Sequence, residues 1–144
     1  MLDLDKFKEI NDTFGHTFGD RLLQEAATLM TGLVRKSDTI ARMGGDEFMM
    51  ILPEINALED LHVLGGKIIQ AFQQPFRLEG RDLMVTTSVG MALYPLDGRD
   101  VDTLVKKADI AMYEAKKMGR NTYRLYGEIC DAGFSPGDLP PSQS

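Results

Sequence analysis

Apolar residues at three-to-four spacing mark three long helices in this sequence. Leu22, Ala26, Leu29, Met30 and Leu33 form one stripe in a segment that runs to about residue 34. Leu61, Leu64, Ile68 and Phe72 form a second in residues 58–72, which tolerates Gly65-Gly66 and ends before Pro75. Leu104, Ala108, Ala111, Met112 and Ala115 form a third in residues 101–118, closed by Gly119. A short helix, residues 7–14, stops at Gly15 ahead of the first stripe. Elsewhere the apolar positions run or alternate over short stretches, so residues 1–5, the two arms of 40–52, 76–78, 83–94 and 122–126 read as strands. A second hairpin turns at Glu79-Gly80-Arg81. The predicted order is β-α-ββ-α-ββ-α-β, an α+β domain over residues 1–126 with a mainly antiparallel sheet covered by helices. Residues 127–144, GEICDAGFSPGDLPPSQS, carry no periodicity and are expected to be a disordered tail or a linker stump.

Composition narrows the function more than the fold. With 144 residues, 43% hydrophobic and 26% charged, the chain is long enough to bury a core without disulfides. A formal charge of −6 argues against a duplex nucleic-acid binder, which needs a basic face, but leaves room for a small anionic ligand where cations gather. Cys130 is the only cysteine, so no intrachain disulfide forms. No run approaches the roughly 18 apolar residues of a membrane span and no signal peptide is evident, which predicts a cytoplasmic chain without membrane contact.

The stretch IARMGGDEFMMIL does not fit a purely structural account. Gly44-Gly45 between apolar runs signals a two-residue hairpin turn, whose central positions need positive φ. Asp46 and Glu47 are poor strand formers and stabilise neither pairing nor core. Taken alone they fit a solvated hairpin tip as well as a functional one. In a sheet of this order the first strand can lie beside the hairpin, and Asp3 would then meet Asp46 and Glu47. Such a cluster is too repulsive to persist uncompensated, and a hard divalent ion such as Mg²⁺ relieves the repulsion through oxygen ligands. Glycine at the tip also lets a bulky ligand approach the backbone.

A phosphate ligand needs donors as well. The turn after Asp5 supplies helix-start amides, with Lys8 close by. Lys116 and Arg120, four apart at the end of the last helix, add a cationic pair on one side of it, or else simply complement the helix dipole. His16, in a turn after Gly15, has no second His or Cys near it and reads as a local hydrogen-bonding residue, and His62 as a solvated helix residue. Met43, Met49, Met50 and Met84 read as core filling.

Four ordered motifs, DLDKFKEINDTFGHTFGD, RMGGDEF, TTSVGMALYPLDG and ADIAMYEAKKMGRN, together resemble a GGDEF domain of the diguanylate cyclase family over residues 1–126. The resemblance implies a nucleotidyl-cyclase or polymerase palm-like fold. It also implies condensation of two GTP into cyclic di-GMP and two pyrophosphates by a homodimer, with Mg²⁺, or Mn²⁺ in its place, as cofactor. Carried over residue by residue, Asp3, Glu47 and the Leu4 carbonyl would ligate the metal, and Asp46 would assist deprotonation of the 3′-hydroxyl. Asn11 and Asp20 would read guanine in a pocket lined by Phe7 and Leu23, an assignment charge supports because a carboxylate accepts from guanine N1–H and N2–H₂ but is repelled by adenine N1. Gly44 and Gly45 would admit the nucleotide, and Lys8, Lys116 and Arg120 would hold its phosphates.

In RKSD, Arg35 and Asp38 stand where the family places an inhibitory Arg-x-x-Asp product site, although a helix-ending Arg followed by a turn Asp has the same sequence. Family domains usually open with a helix carrying Asp-x-Leu-Thr-Gly-Leu-x-Asn-Arg, whereas this sequence opens inside the following strand and so reads as N-terminally truncated. The intact GGDEF pentapeptide favours an enzyme. The missing helix and pairing module favour the alternative, a catalytically weak module that binds GTP or cyclic di-GMP and signals.

Overall fold

A computed structural model describes residues 1–131 of the chain. Strand β1 (Leu2–Leu4) is followed by α1 (Phe7–Phe14), α2 (His16–Thr31), β2 (Thr39–Gly44), β3 (Glu47–Ile51) and α3 (Leu58–Ala71). Then come β4 (Phe76–Leu78), β5 (Arg81–Leu83), β6 (Thr87–Met91), α4 (Val101–Lys117), β7 (Thr122–Leu125) and α5 (Tyr126–Asp131). Five strands form one sheet in the order β2-β3-β1-β6-β7, antiparallel except for β6 and β7, which are parallel and joined through α4. A parallel pair needs such a crossover, and a helix is its usual form. This is the palm-like α+β arrangement that the sequence predicts.

β1 takes the centre because it is apolar where the core needs it. Leu2 and Leu4 are buried with Phe7, Leu22, Phe48 and Val89 in one continuous core. α4 lays Ala108, Ala111, Met112 and Ala115 against the sheet, its start fixed by Asp100, whose carboxylate accepts from the Thr103 amide at 2.8 Å. Among the described residues no helix is long and apolar enough to cross a membrane.

Several sequence expectations change. The first hairpin does not turn on Gly44-Gly45. Gly44 pairs with Glu47, so the central residues are Gly45 and Asp46, and the ladder slips between Arg42 and Gly44. Gly45 alone of that pair has positive φ, 52°, the pattern of a turn with glycine at its first central position. The expected long arm of the second hairpin, 83–94, is two strands. β5 closes a two-stranded sheet with β4, and the chain then crosses to the main sheet as β6. The crossing is fixed by Asp5, whose amide donates to the Thr86 carbonyl at 2.9 Å.

The segment from residue 127 is not wholly disordered either. α5 continues to Asp131 and buries Ile129 to 2% exposure, a helix of 6 residues too short to show a period. The rest of the expected tail lies outside the described residues. His62, expected to be solvated, bridges two elements: its Nδ1 lies 2.9 Å from Tyr123 Oη and its Nε2 2.8 Å from Glu128 Oε2. Those partners sit 61 and 66 residues away, so no local pattern announces them.

Candidate active site

The register of the central strands brings the expected carboxylates together. Asp3 of β1 stands opposite Glu47 at the start of β3, and the Leu4 amide donates to the Asp46 carbonyl at 3.4 Å. Asp3 is held from the other side by β6, where Thr87 Oγ1 donates to the Asp3 carbonyl at 2.6 Å. The hairpin tip is braced by Arg42, whose Nε donates to the Gly45 carbonyl at 2.9 Å.

Charge is unevenly compensated here. Lys116 Nζ lies 2.5 Å from Asp3 Oδ2, with Asp3 8% and Lys116 25% exposed at the side chain. Even so, burial raises the Asp3 carboxyl to about 6, with Lys116 pulling it down and Asp46 and Asp5 pushing it up. Asp46 is raised by burial, against its own backbone amide and Lys116. Glu47 is raised by burial and then by Asp109. Asp109, on α4, is itself raised by burial, and its Oδ1 is buried without a hydrogen-bond partner. Lys116, with help from Arg42 and the N-terminal ammonium, faces carboxyls that burial keeps reluctant to ionise.

The buried Asp3 Oδ1 also lacks a partner, which is the observation that fits a hard cation: an acceptor sheltered from water and not used by the protein. The fit is partial. Among the described residues no three His, Cys, Asp or Glu groups converge as a ready-made metal cage. One or two carboxylates completed by ligand phosphates and water is the usual way Mg²⁺ is held.

A second group of expected residues assembles where α1 packs on α2. Phe7 and Leu23 are buried, Asp20 is exposed, and Asn11 lies against Gly19, where a Cβ would come within 1.8 Å of Asn11 Oδ1 and 3.1 Å of Phe7 Cζ. Glycine at 19 is what lets the Asn11 amide lie on the α2 backbone. Asn11 Oδ1 is buried and without a partner, an acceptor with unused capacity. Gly19 was not singled out in the sequence, although its place beside Asp20 and eight residues from Asn11 is the signal that could have found it.

The cationic pair is divided. α4 ends at Lys117, and Arg120 lies beyond it with φ 64°, so the four-residue helical relation to Lys116 does not hold. Lys116 sits on Asp3, whereas Arg120 lines a cleft of about 510 Å³ with Lys6 and Glu9 at the start of α1. Both cations still flank the β1–α1 turn. Lys8, in the first turn of α1, is exposed.

Arg35 and Asp38 form a local turn: the Arg35 amide donates to Asp38 Oδ2 at 2.7 Å, and Arg35 Nη1 pairs with Glu54 Oε2 at 3.2 Å. They precede β2, at the opposite end of that strand from Gly45, so about 20 Å separates them from the tip at the usual strand rise. Asp5 and Asp109 were the acidic residues that sequence reading left out of the site. Each carried a signal: Asp5 shares a strand face with Asp3, and Asp109 interrupts a buried helical stretch one heptad before Lys116.

The family model for the diguanylate cyclase GGDEF domain matches residues 1–122. Signaling protein YkoW of Bacillus subtilis is 47% identical over 127 residues, which cover 88% of this chain and 16% of that protein. The chain thus spans about a sixth of that relative's length. The crystal structure of the GGDEF domain of PA1120 (YfiN or TpbB) from Pseudomonas aeruginosa superposes with a TM-score of 0.84 at 40% identity, over 86% of this chain and 78% of that one. The GGDEF domain of DgcB from Caulobacter crescentus, in complex with c-di-GMP, superposes with a TM-score of 0.77 at 30% identity, over 88% and 75% of the two chains. With the match running from the first strand to the last and the hairpin acids in register with Asp3, the chain belongs to the GGDEF family of diguanylate cyclase domains.

Proposed function

We propose that the domain binds GTP with a divalent cation and condenses two GTP into cyclic di-GMP and two pyrophosphates when two copies face one another. The observation that carries the reading is the register of Asp3 against Glu47, with the Asp46 carbonyl on the Leu4 amide and Lys116 on Asp3. In each half-reaction a 3′-oxygen attacks the α-phosphorus of the opposite nucleotide, a P–O bond forms, and pyrophosphate leaves with the electron pair of the broken bond. Asp3, Glu47 and the Leu4 carbonyl would hold the cation, Mg²⁺ or Mn²⁺, which when bound neutralises phosphate charge and acidifies the attacking hydroxyl. Asp46 accepts the proton from the 3′-hydroxyl; its raised pKa brings it closer to the range where a carboxylate works as a base near neutrality. Lys8, Lys116, Arg120 and the amides at the start of α1 hold the triphosphate. Gly44 and Gly45 leave the hairpin tip open to it.

Guanine is read by the Asn11 amide and the Asp20 carboxylate over Phe7 and Leu23. Asp20→Ala is expected to weaken GTP binding by about one to two orders of magnitude, the loss of a charge-assisted hydrogen bond, and to leave ATP binding unchanged. Calorimetry with both nucleotides checks this, and equal losses for the two would move Asp20 out of the base site.

Arg35 and Asp38 form a product site remote from the hairpin tip. Arg35→Ala is expected to weaken cyclic di-GMP binding about tenfold or more without changing GTP affinity, since it removes a bidentate donor and touches nothing at β1. Titration of the variant with each ligand measures both. Competition between cyclic di-GMP and a non-hydrolysable GTP analogue for one site would overturn the assignment.

A second reading, a module that binds nucleotide and signals with little turnover, is favoured by Lys116 occupying Asp3 Oδ2. Incubating the chain with GTP and Mg²⁺ over a protein concentration series separates the two. Cyclic di-GMP forming with a specific activity that rises with protein concentration is the cyclase result. GTP binding without product at any concentration is the binding-module result.

A further inference from the structure

We infer that Asp5 is a positioning residue for the phosphate-binding side of the site, acting through Arg120. This rests on the GTP reading above. Asp5 is 7% exposed, and its carboxylate is fully engaged by the protein. Oδ1 accepts from Ser88 Oγ at 2.6 Å, and Oδ2 accepts from Thr86 Oγ1 at 2.7 Å and from the Asn121 amide at 3.0 Å. These donors come from three places: the crossing into β6, β6 itself, and the turn after α4. One side chain just past the central strand therefore fixes where the Arg120 turn lies relative to the start of α1.

That turn needs fixing. Gly119, Arg120 and Asn121 follow one another at φ 103°, 64° and 53°, and Lys6, next to Asp5, sits at 59°. Left-handed backbone at consecutive residues other than glycine persists only where the surroundings over-determine it. Here the Arg120 amide is held by the Ala115 carbonyl at 3.2 Å and the Asn121 amide by Asp5. Asp5 thus lines the cleft beside α1 together with the two cations, Lys6 and Arg120. A carboxylate would repel a phosphate it touched, and with Ser88, Thr86 and the Asn121 amide donating to it Asp5 acts on the backbone that carries Arg120 rather than on the ligand. Asparagine at this position keeps the volume but has a single acceptor oxygen, so it cannot serve all the donors as placed.

The test is a double-mutant cycle between Asp5→Asn and Arg120→Ala, read by calorimetry with GTP–Mg²⁺ and with inorganic tripolyphosphate, and by NMR titration with guanosine. Asp5→Asn is expected to weaken GTP and tripolyphosphate binding about tenfold and to leave guanosine affinity unchanged. The double variant should bind within about twofold of Arg120→Ala alone, because the two act through one interaction. Thr86→Val, which removes one donor and leaves the carboxylate, should show a smaller loss in the same direction and reads the coupling if Asp5→Asn does not fold. Fully additive losses, or a guanosine affinity that falls with that for tripolyphosphate, overturn the inference and reduce Asp5 to a structural anchor. Failure of the unmodified chain to bind GTP or tripolyphosphate overturns the GTP reading itself, and this inference with it.

Discussion

Glu47→Gln lowers cyclic di-GMP formation by more than about a hundredfold and leaves the fold unchanged. The magnitude follows from what a metal-held transition state is worth, several kcal/mol, when one of few anionic ligands becomes a neutral amide. The fold is spared because Glu47 is the first residue of β3, half-buried, and pairs with Asp3 through its backbone. Its carboxylate is a burden on the folded state, raised by burial and by Asp109. The amide relieves that burden, so the melting temperature holds or rises slightly while product formation collapses. Near-normal turnover in this variant would remove Glu47 from the metal site.

Lys116→Ala carries the largest expected effect on stability, and the effect depends on pH. The substitution leaves Asp3 buried without its cation, a loss of about 2–4 kcal/mol where one partner of a buried pair is removed, or roughly 10 °C in melting temperature for a domain of this size. The Asp3 carboxyl already stands at about 6 in the folded chain against 3.8 when free, and Lys116 is what keeps it from rising further. A carboxyl raised on folding favours the folded state below about pH 4, and that contribution is lost as pH rises through its folded value. Without Lys116 the folded value moves upward, so the loss extends into the neutral range. The variant should therefore lie close to the unmodified chain at pH 5 and well below it at pH 7.5. Millimolar Mg²⁺ should narrow the gap at pH 7.5, since a divalent cation replaces the missing charge. Thermal unfolding at both pH values, with and without Mg²⁺, measures this; equal deficits at the two would show that Lys116 supports the fold by packing rather than by charge.

Helices and motifs were readable because their information is local. Three-to-four spacing placed α2, α3 and α4 within a few residues, and the GGDEF tip announced itself by putting acids where a hairpin wants none. What escaped was set by partners far along the chain. The break between β5 and β6 arises from Asp5 capturing Thr86, a contact over 81 residues that no alternation pattern encodes. Asp109 interrupts the buried stretch of α4, but only the fold brings its charge to bear on Glu47. Arg120 looked helical by count, and only Gly119 hinted that the helix had already ended. The turn register went astray for a different reason: two adjacent glycines both satisfy the local requirement, and the ladder on either side decides which of them takes the central position.

The position of β1 at the middle of the sheet has a consequence for the order in which the domain comes into being. Leu2 pairs with Phe48 on one side and with Val89 on the other, so β1 acquires its second neighbour only after β6, far along the chain, has been made. At about 5–20 residues per second that interval lasts several seconds. During it Asp3 has at most its β3 neighbour, Glu47, and Lys116 has not yet been made. Pairings of such long sequence separation also slow the final search, because loop closure must precede any reward from contact. The cluster of Asp3, Glu47 and Lys116 is thereby completed only once the sheet has closed around β1.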